Sequence, residues 1–360
     1  MKIEELLSLR PFSLREDEKA PLFLAAMKEA ITHHYNNCSM YRKFCEKRDF
    51  RPEKIDTVED IPFLPVDLFK HVRLVSVKER DIGRTVHSSS TTTGTPSSVY
   101  LDEKTMKRQT TTMNAIVSEF IGKKRRDFMF IDSPKTIKSA HGELSSRATT
   151  MRGFLPFSRK AFYLLNDKLE IDEKALQHTL EHVGPNPLIY GFTYIIYNAV
   201  KSGSHLQEKI SQAVKNPVII HSGGWKKLAD MKVEKKHFNM EVSEFFNTAP
   251  ENVLDMYGMM EHLGITYIDC PCGHKHVPVY SDVIIRDVNT FKPVGVGKEG
   301  FIQLLTPIPH SYPGVSIISS DIGAVLGRDD CKCGRPGKYF VFRKRAPASE
   351  KRGCGDTLGE

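Results

Sequence analysis

Four stretches of the chain bring together residue types that can handle a nucleotide. The first, Ser88-Ser89-Ser90-Thr91-Thr92-Thr93-Gly94-Thr95-Pro96-Ser97, is a hydroxyl-rich run around a glycine. Backbone N–H and side-chain O–H groups of such a loop can close on phosphate oxygens. It lacks the Gly-Lys-Ser/Thr ending of a Walker A loop, and Ser/Thr-rich turns are also common without a ligand. In the second, Ile219-Ile220-His221-Ser222-Gly223-Gly224-Trp225, an apolar run ends in two glycines and the only Trp. Glycines at a strand end let a ligand approach the backbone, and a tight turn with Trp225 in the core is the competing reading. The third, Val253-Leu254-Asp255-Met256-Tyr257-Gly258-Met259-Met260-Glu261, sets a Tyr before a glycine and an acid three residues after it. Tyr257 can stack on a base and Glu261 can hold Mg²⁺, or the acid can simply cap a helix. The fourth, Ser319-Ser320-Asp321-Ile322-Gly323, places an Asp after the run Val315–Ile318. An Asp at a strand end can accept both hydroxyls of a ribose, and an Asp in a β-turn is the ordinary alternative.

A fifth constellation concerns metal. Cys270-Pro271-Cys272-Gly273-His274-Lys275-His276 and Cys331-Lys332-Cys333-Gly334-Arg335 hold four of the seven cysteines in two Cys-x-Cys pairs beside glycines. Two such knuckles can close a tetrahedral zinc site on Cys270, Cys272, Cys331 and Cys333, with His274 or His276 able to replace one Cys. A redox pair or unrelated thiols are the alternatives.

The elements around these stretches alternate. Phe23, Met27, Ile31 and His34 keep a helical stripe, so residues 1–60 read as a helical segment. Ile61-Pro62-Phe63-Leu64-Pro65 breaks it, because two prolines force extended backbone. Apolar runs at Phe128–Ile131, Leu188–Tyr190 and Val218–Ile220 alternate with helical stretches at Glu173–His182 and Tyr194–Lys201. That rhythm predicts an α/β core over 61–264 with a mostly parallel sheet. After about residue 265, short runs at Ile265–Ile268, Val283–Ile285, Phe301–Leu305, Val315–Ile318 and Tyr339–Phe342 are separated by Gly, Pro and Asp, so 265–342 reads as a β-rich subdomain carrying the metal site. Residues 343–360 are charged and aperiodic and read as a hinge or tail.

The 360 residues suffice for roughly two domains. With 40% hydrophobic and 27% charged residues, bulk disorder is excluded. The longest apolar run, Leu22–Met27, is far short of a transmembrane helix. The opening Met1-Lys2-Ile3-Glu4-Glu5 has no apolar signal region, so a cytoplasmic protein is expected. The formal net charge of +8 is scattered and is not interleaved with aromatics as a nucleic-acid groove requires.

Taken in order, the four nucleotide stretches resemble the acyl-adenylate-forming superfamily. Within it the chain resembles the acyl-protein synthetases of bacterial luminescence operons, the long-chain fatty acid–luciferin-component ligases. The resemblance spans nearly the whole chain. It runs through His33-His34-Tyr35-x-x-Cys38-x-x-Tyr41-Arg42-x-x-Cys45, Asp60-Ile61-Pro62-x-x-Pro65-x-x-x-Phe69-Lys70, Gly223-Gly224-Trp225-Lys226, Lys275-His276-Val277-Pro278, Ser311-Tyr312-Pro313 and Lys351-Arg352-Gly353-Cys354. The zinc knuckles are similar to Cys and His positions in phenylacetate–CoA ligase relatives, and there the site looks structural.

The resemblance implies an adenylate-forming large domain with a truncated C-terminal stub. It implies that Ser90, Thr91, Thr92, Thr93 and Gly94 hold the ATP phosphates, that Gly223 and Gly224 border the adenine, and that Tyr257 and Gly258 lie beside it. Glu261 would bind Mg²⁺ and Asp321 the ribose. The basic run Arg343–Arg345 falls where the superfamily keeps a hinge and a ribose-binding Arg, and Arg343 is taken for that role. A fatty acid carboxylate would become acyl-AMP, and the acyl group would pass to Cys354 and on to a reductase-type protein. Lys351 and Arg352 would favour the thiolate. Two residues depart from the superfamily's pattern. Thr91 stands where a loop glycine is usual, which costs backbone freedom. Met260 stands where a phosphate-binding Thr is usual. Two other readings remain open: an acyl- or aryl-CoA ligase of the phenylacetate type, distinguished by dependence on coenzyme A, and a non-catalytic zinc-bearing binding protein, distinguished by lack of ATP–pyrophosphate exchange.

Overall fold

The computed structural model of the chain describes residues 2–88, 96–138, 144–225 and 233–346. It divides into two compact units, residues 1–119 with 258–360, and residues 120–257.

The first unit opens with α1 (Lys2–Leu7), α2 (Glu16–Asn37) and α3 (Ser39–Glu46). Three acids in the first turn of α2 suit its dipole, and the Arg15 N–H donates to Glu18 at 2.8 Å to close the start. The predicted stripe Phe23, Met27, Ile31 and His34 is buried along one face. Regular helix stops at Glu46, short of the expected residue 60. Asp49 adopts a left-handed φ, and Pro52 and Val58 begin 3₁₀ turns in place of a further helix. The proline-broken segment forms β1 (Leu64–Pro65), then the one-turn α4 (Leu68–His71). The strands β2 (Ile82–His87) and β3 (Ser98–Asp102) pair antiparallel on either side of the hydroxyl-rich loop, and α5 (Glu103–Ile121) follows.

The second unit has the predicted βα rhythm. Its elements are β4 (Arg126–Phe130), the short β5 (Leu144–Ser145), α6 (Ser146–Phe154), β6 (Ser158–Tyr163), α7 (Glu173–His182), β7 (Leu188–Phe192), α8 (Thr193–Ser202), α9 (Gln207–Ala213), β8 (Val218–Ser222), α10 (Lys235–Phe245) and β9 (Val253–Tyr257). Strands β9, β8, β7, β4 and β6 lie side by side in that order, all parallel. Every residue of β7 is buried, as a central strand covered on both faces requires.

The chain then returns to the first unit with β10 (Tyr267–Ile268), β11 (Lys275–His276), β12 (Asp282–Arg286), β13 (Gly300–Leu305), β14 (Ser316–Arg328) and β15 (Lys338–Arg345). The sheet order is β11-β15-β14-β13-β12, antiparallel throughout, with β1 joined in parallel to β14. The α/β class, the parallel core and the β-rich C-terminal region are as the sequence predicts. Two details differ. Arg343, Lys344 and Arg345 belong to β15 and not to a tail. Asp321 is not at a strand end, because β14 runs on to Arg328. Within β14, Gly323 permits close strand approach: a Cβ there would lie 2.5 Å from the Val341 carbonyl oxygen.

Candidate active site and metal centre

In the first unit Glu261 lies at the neck of the hydroxyl-rich loop, its 3₁₀ turn against the strand that follows the loop. Ser88 N–H donates to Ser97 O at 3.0 Å, and Ser97 N–H donates to Ser88 Oγ at 2.9 Å. These two bonds fix where the loop leaves β2 and enters β3. Ser90, Thr91, Thr92, Thr93 and Gly94 themselves lie outside the described residues.

Glu261 stands on a 3₁₀ turn, Met260–His262, and is 5% exposed. Ser97 donates a side-chain hydrogen bond to its carboxylate. Burial raises the Glu261 pKa above the ordinary carboxylate value, with the Ser97 bond and the Lys70 charge acting in the opposite sense. The turn is held from below: Tyr312 Oη donates to Glu261 O at 3.2 Å, and a Cβ on Gly314 would come within 2.9 Å of that same oxygen. His262, fully buried, is held down to about 3 by burial, so it is neutral, and its Nε2 lies 3.2 Å from the Tyr267 hydroxyl. Met260 is buried and brings no hydroxyl to the site.

Asp321 sits in a bulge inside β14. Against β13 the register passes from Ile318 opposite Gln303 to Ile322 opposite Phe301, so three residues of β14 face Ile302 alone. Bulges of this kind re-aim side chains. Ser319 Oγ donates to Ile302 O at 3.1 Å and accepts from Asp321 N at 3.1 Å. Asp321 is 3% exposed, and across the sheet it faces Arg345, whose Nε donates to its Oδ1 at 3.0 Å. Arg343 is elsewhere: it pairs with Glu299 at 3.2 Å on the open surface. The basic residue beside the candidate ribose carboxylate is therefore Arg345. Side chains two apart on a strand share a face, but the register shift between Ile322 and Gly323 separates the two arginines' surroundings, and sequence spacing carries no sign of that shift.

In the second unit the β8 end is pinned at α8. Thr193 Oγ1 donates to Ser222 O at 3.0 Å and lies 3.0 Å from His221 Nδ1, which therefore donates to it. Tyr190 Oη and Ser222 Oγ are 2.8 Å apart. Gly223 and Gly224 then take φ of +81° and +61°, values that L side chains rarely adopt. A Cβ on Gly223 would strike the Phe192 ring at 2.6 Å, while nothing lies within 4 Å of the corresponding point on Gly224. Trp225 packs edge-on against Tyr197 and Phe238. Tyr257 ends β9 and is largely buried, and Gly258 begins the next segment of the first unit.

The two Cys-x-Cys segments of the first unit do converge. Gly273 and Gly334 take left-handed φ of +74° and +78°, and their N–H groups donate to Cys270 O and Cys331 O at 2.7 and 2.9 Å. Each segment thus forms a tight knuckle. The ligand atoms of Cys270, His276, Cys331 and Cys333 lie within 4.8 Å of one another. Cys270 Sγ and Cys331 Sγ are 4.0 Å apart, and Cys333 Sγ and His276 Nε2 are 3.2 Å apart. Zinc–sulfur and zinc–nitrogen bonds of about 2.3 and 2.0 Å at tetrahedral angles put such pairs about 3.8 and 3.5 Å apart, so the set fits a zinc ion. Cys272 is exposed and outside the group. The fourth member of the group is His276, which lies opposite Tyr339 where β11 pairs with β15. His274 Nδ1 lies 3.4 Å from Cys331 Sγ at the margin.

Cys354 lies outside the described residues, as do Lys351 and Arg352. Among the described residues no helix is long and apolar enough to cross a membrane.

The family model described as "Acyl-protein synthetase, LuxE" matches residues 2–360. The chain is 23% identical over 355 residues to the long-chain-fatty-acid–luciferin-component ligase of Vibrio harveyi, covering 97% of this chain and 90% of that protein. It is 23% identical over 335 residues to the ligase of that name from Aliivibrio fischeri, covering 90% and 85%. Among solved structures, 2-hydroxyisobutyryl-CoA ligase in an open conformation with 2-HIB-AMP and CoA aligns with a TM-score of 0.72 at 15% identity, covering 93% of this chain and 76% of that one. The same ligase in its postadenylation state aligns with a TM-score of 0.72 at 16% identity, covering 93% and 69%. The fold is that of the adenylate-forming ligases.

Proposed function

This chain belongs to the LuxE acyl-protein synthetase family, an AMP-forming ligase family, and from that premise we propose that it activates a long-chain fatty acid as its acyl-adenylate and carries the acyl group on Cys354. The observation that supports this most is the meeting of Glu261 with Ser97 at the neck of the hydroxyl-rich loop. A buried carboxylate beside a phosphate-type loop suits a magnesium–polyphosphate ligand. Glu261 would hold Mg²⁺, which neutralises phosphate charge when bound. Ser90, Thr91, Thr92, Thr93 and Gly94 would receive the phosphates, Asp321 the ribose hydroxyls with Arg345 alongside, and Gly223, Gly224 and Tyr257 the adenine.

In the first half-reaction a carboxylate oxygen of the fatty acid attacks the α-phosphorus, the bond to the bridging oxygen breaks, and pyrophosphate leaves. In the second, the Cys354 thiolate attacks the acyl carbon and AMP leaves, giving a thioester. A reductase-type partner would take the acyl group from that thioester. Cys270, His276, Cys331 and Cys333 would hold a structural Zn²⁺, closing strands that are far apart in sequence. Fatty-acid-dependent exchange of labelled pyrophosphate into ATP tests the first half-reaction. Exchange with a long-chain acid and without coenzyme A supports the reading. Product formation only with coenzyme A would favour an acyl-CoA ligase, and no exchange with any acid would favour a binding protein.

A further inference from the structure

Resting on the ATP-dependent reading above, we propose that Lys70 is a phosphate-binding residue of this enzyme, its ammonium engaging the ATP oxygens that leave as pyrophosphate. Three packing relations carry Lys70 to the Glu261 region. First, β1 pairs in parallel with β14, Leu64 opposite Ile317 and Pro65 opposite Ile318, and Val66 N–H extends the pairing to Ile318 O at 3.0 Å. The segment before Lys70 is thereby fixed beside the strand that carries Asp321. Second, α4 packs on β3, and so does the 3₁₀ turn that carries Glu261. Third, Phe69 meets Tyr312 edge to face, centroids 6.2 Å apart at 87°, and Tyr312 is the residue that bonds Glu261 O.

The side chain itself is poised for exchange. Lys70 Nζ lies 2.6 Å from Asp67 Oδ1, with the Lys side chain 23% and the Asp side chain 48% exposed. An ion pair this open to water contributes little to stability and can yield to a more highly charged anion. Lys70 acts electrostatically on the Glu261 carboxyl, against the effect of Asp67. Where Glu261 would hold a magnesium ion, the ammonium of Lys70 would supply a second positive charge for the polyphosphate. The adenylation step releases pyrophosphate, and a fixed cation beside the departing oxygens stabilises the charge that collects there. The chain between Asp60 and Lys70 thus has a chemical task in addition to its structural one.

The test is nucleotide binding by the full chain carrying Lys70→Met, with Lys70→Arg beside it, using ATP and AMP with magnesium and ATP with chelator. Lys70→Met is expected to weaken ATP about tenfold with or without magnesium and to leave AMP within about twofold, because AMP lacks the phosphates concerned. Lys70→Arg is expected to recover most of the ATP affinity. Unchanged ATP affinity overturns the assignment, as does equal loss for ATP and AMP. A loss that vanishes when magnesium is removed also overturns it, since Lys70 would then act only through Glu261. The melting temperature of each variant identifies a misfolded one, and Lys70→Arg keeps the test decisive in that case. Wild-type protein that exchanges pyrophosphate while Lys70→Met matches it sinks Lys70 alone. Wild-type protein that binds no ATP sinks this proposal and the functional reading together.

Discussion

Arg345 stands directly opposite Asp321 across β14 and β15 and donates its Nε–H to the Asp321 carboxylate at 3.0 Å. The pair is asymmetric: Asp321 is buried, whereas the Arg345 side chain is 71% exposed. The bulge at Ser319–Asp321 aims the carboxylate, and the charge-assisted bond from the guanidinium fixes its direction. A carboxylate held in this way suits the ribose-binding role proposed for Asp321.

Replacing the two nearby arginines should therefore give unequal results. Arg345→Met is expected to slow adenylate formation about tenfold, roughly 1.4 kcal/mol of transition-state stabilisation. Arg343→Met, which removes only an exposed pair with Glu299, is expected to stay within about twofold. Initial rates of pyrophosphate exchange at saturating ATP check this, and equal effects would contradict the placement.

Glu261 carries a second contrast. Its pKa is raised by burial, so over the pH range between its unfolded and folded values the native state binds more protons than the unfolded one. Stability from this group is therefore largest at low pH and falls as pH rises through that window. Glu261→Gln keeps an acceptor for Ser97 and removes the buried charge. At neutral pH the ligand-free variant is expected to melt no lower than wild type, while exchange drops at least about tenfold. Thermal melts at pH 5 and 7 with exchange assays check both halves.

The proposed zinc site should discriminate between cysteines. Protein prepared without chelator is expected to contain about one zinc per chain by elemental analysis. Cys331→Ser, Cys333→Ser and His276→Ala should each lose most of the zinc and lower the melting temperature, because the site joins distant strands. Cys272→Ser should keep zinc and stability, as an exposed residue outside the ligand group. Zinc lost in Cys272→Ser but kept in His276→Ala would reverse the ligand assignment.

What the sequence makes legible follows the range of the interactions. The helix Glu173–His182 and the strand cores of β4, β7, β8, β12 and β13 are set by local periodicity and appear where the patterns place them. The two glycines after β8 are legible too, because positive φ is a local demand. Relations across the chain are not. The grouping of His276 rather than Cys272 with the other three depends on β11 lying against β15, where His276 faces Tyr339, 63 positions on, and the choice of Arg345 over Arg343 depends on a register shift. The run Ser319–Gly323 reads as a strand end because Ser, Asp and Gly are turn residues, whereas in β14 they serve a bulge and a close strand contact.

The most direct test of the account is intact-mass measurement after incubation with ATP, magnesium and a long-chain fatty acid, in wild type and in Cys354→Ser. The wild type should gain one acyl mass that hydroxylamine removes. Cys354→Ser should keep fatty-acid-dependent pyrophosphate exchange and gain no such adduct, while Cys38→Ser, changed at the junction of α2 and α3, and Cys45→Ser, changed within α3, should still acquire it. A hydroxylamine-labile acyl group at wild-type yield on Cys354→Ser would contradict the proposal that this residue carries the acyl chain.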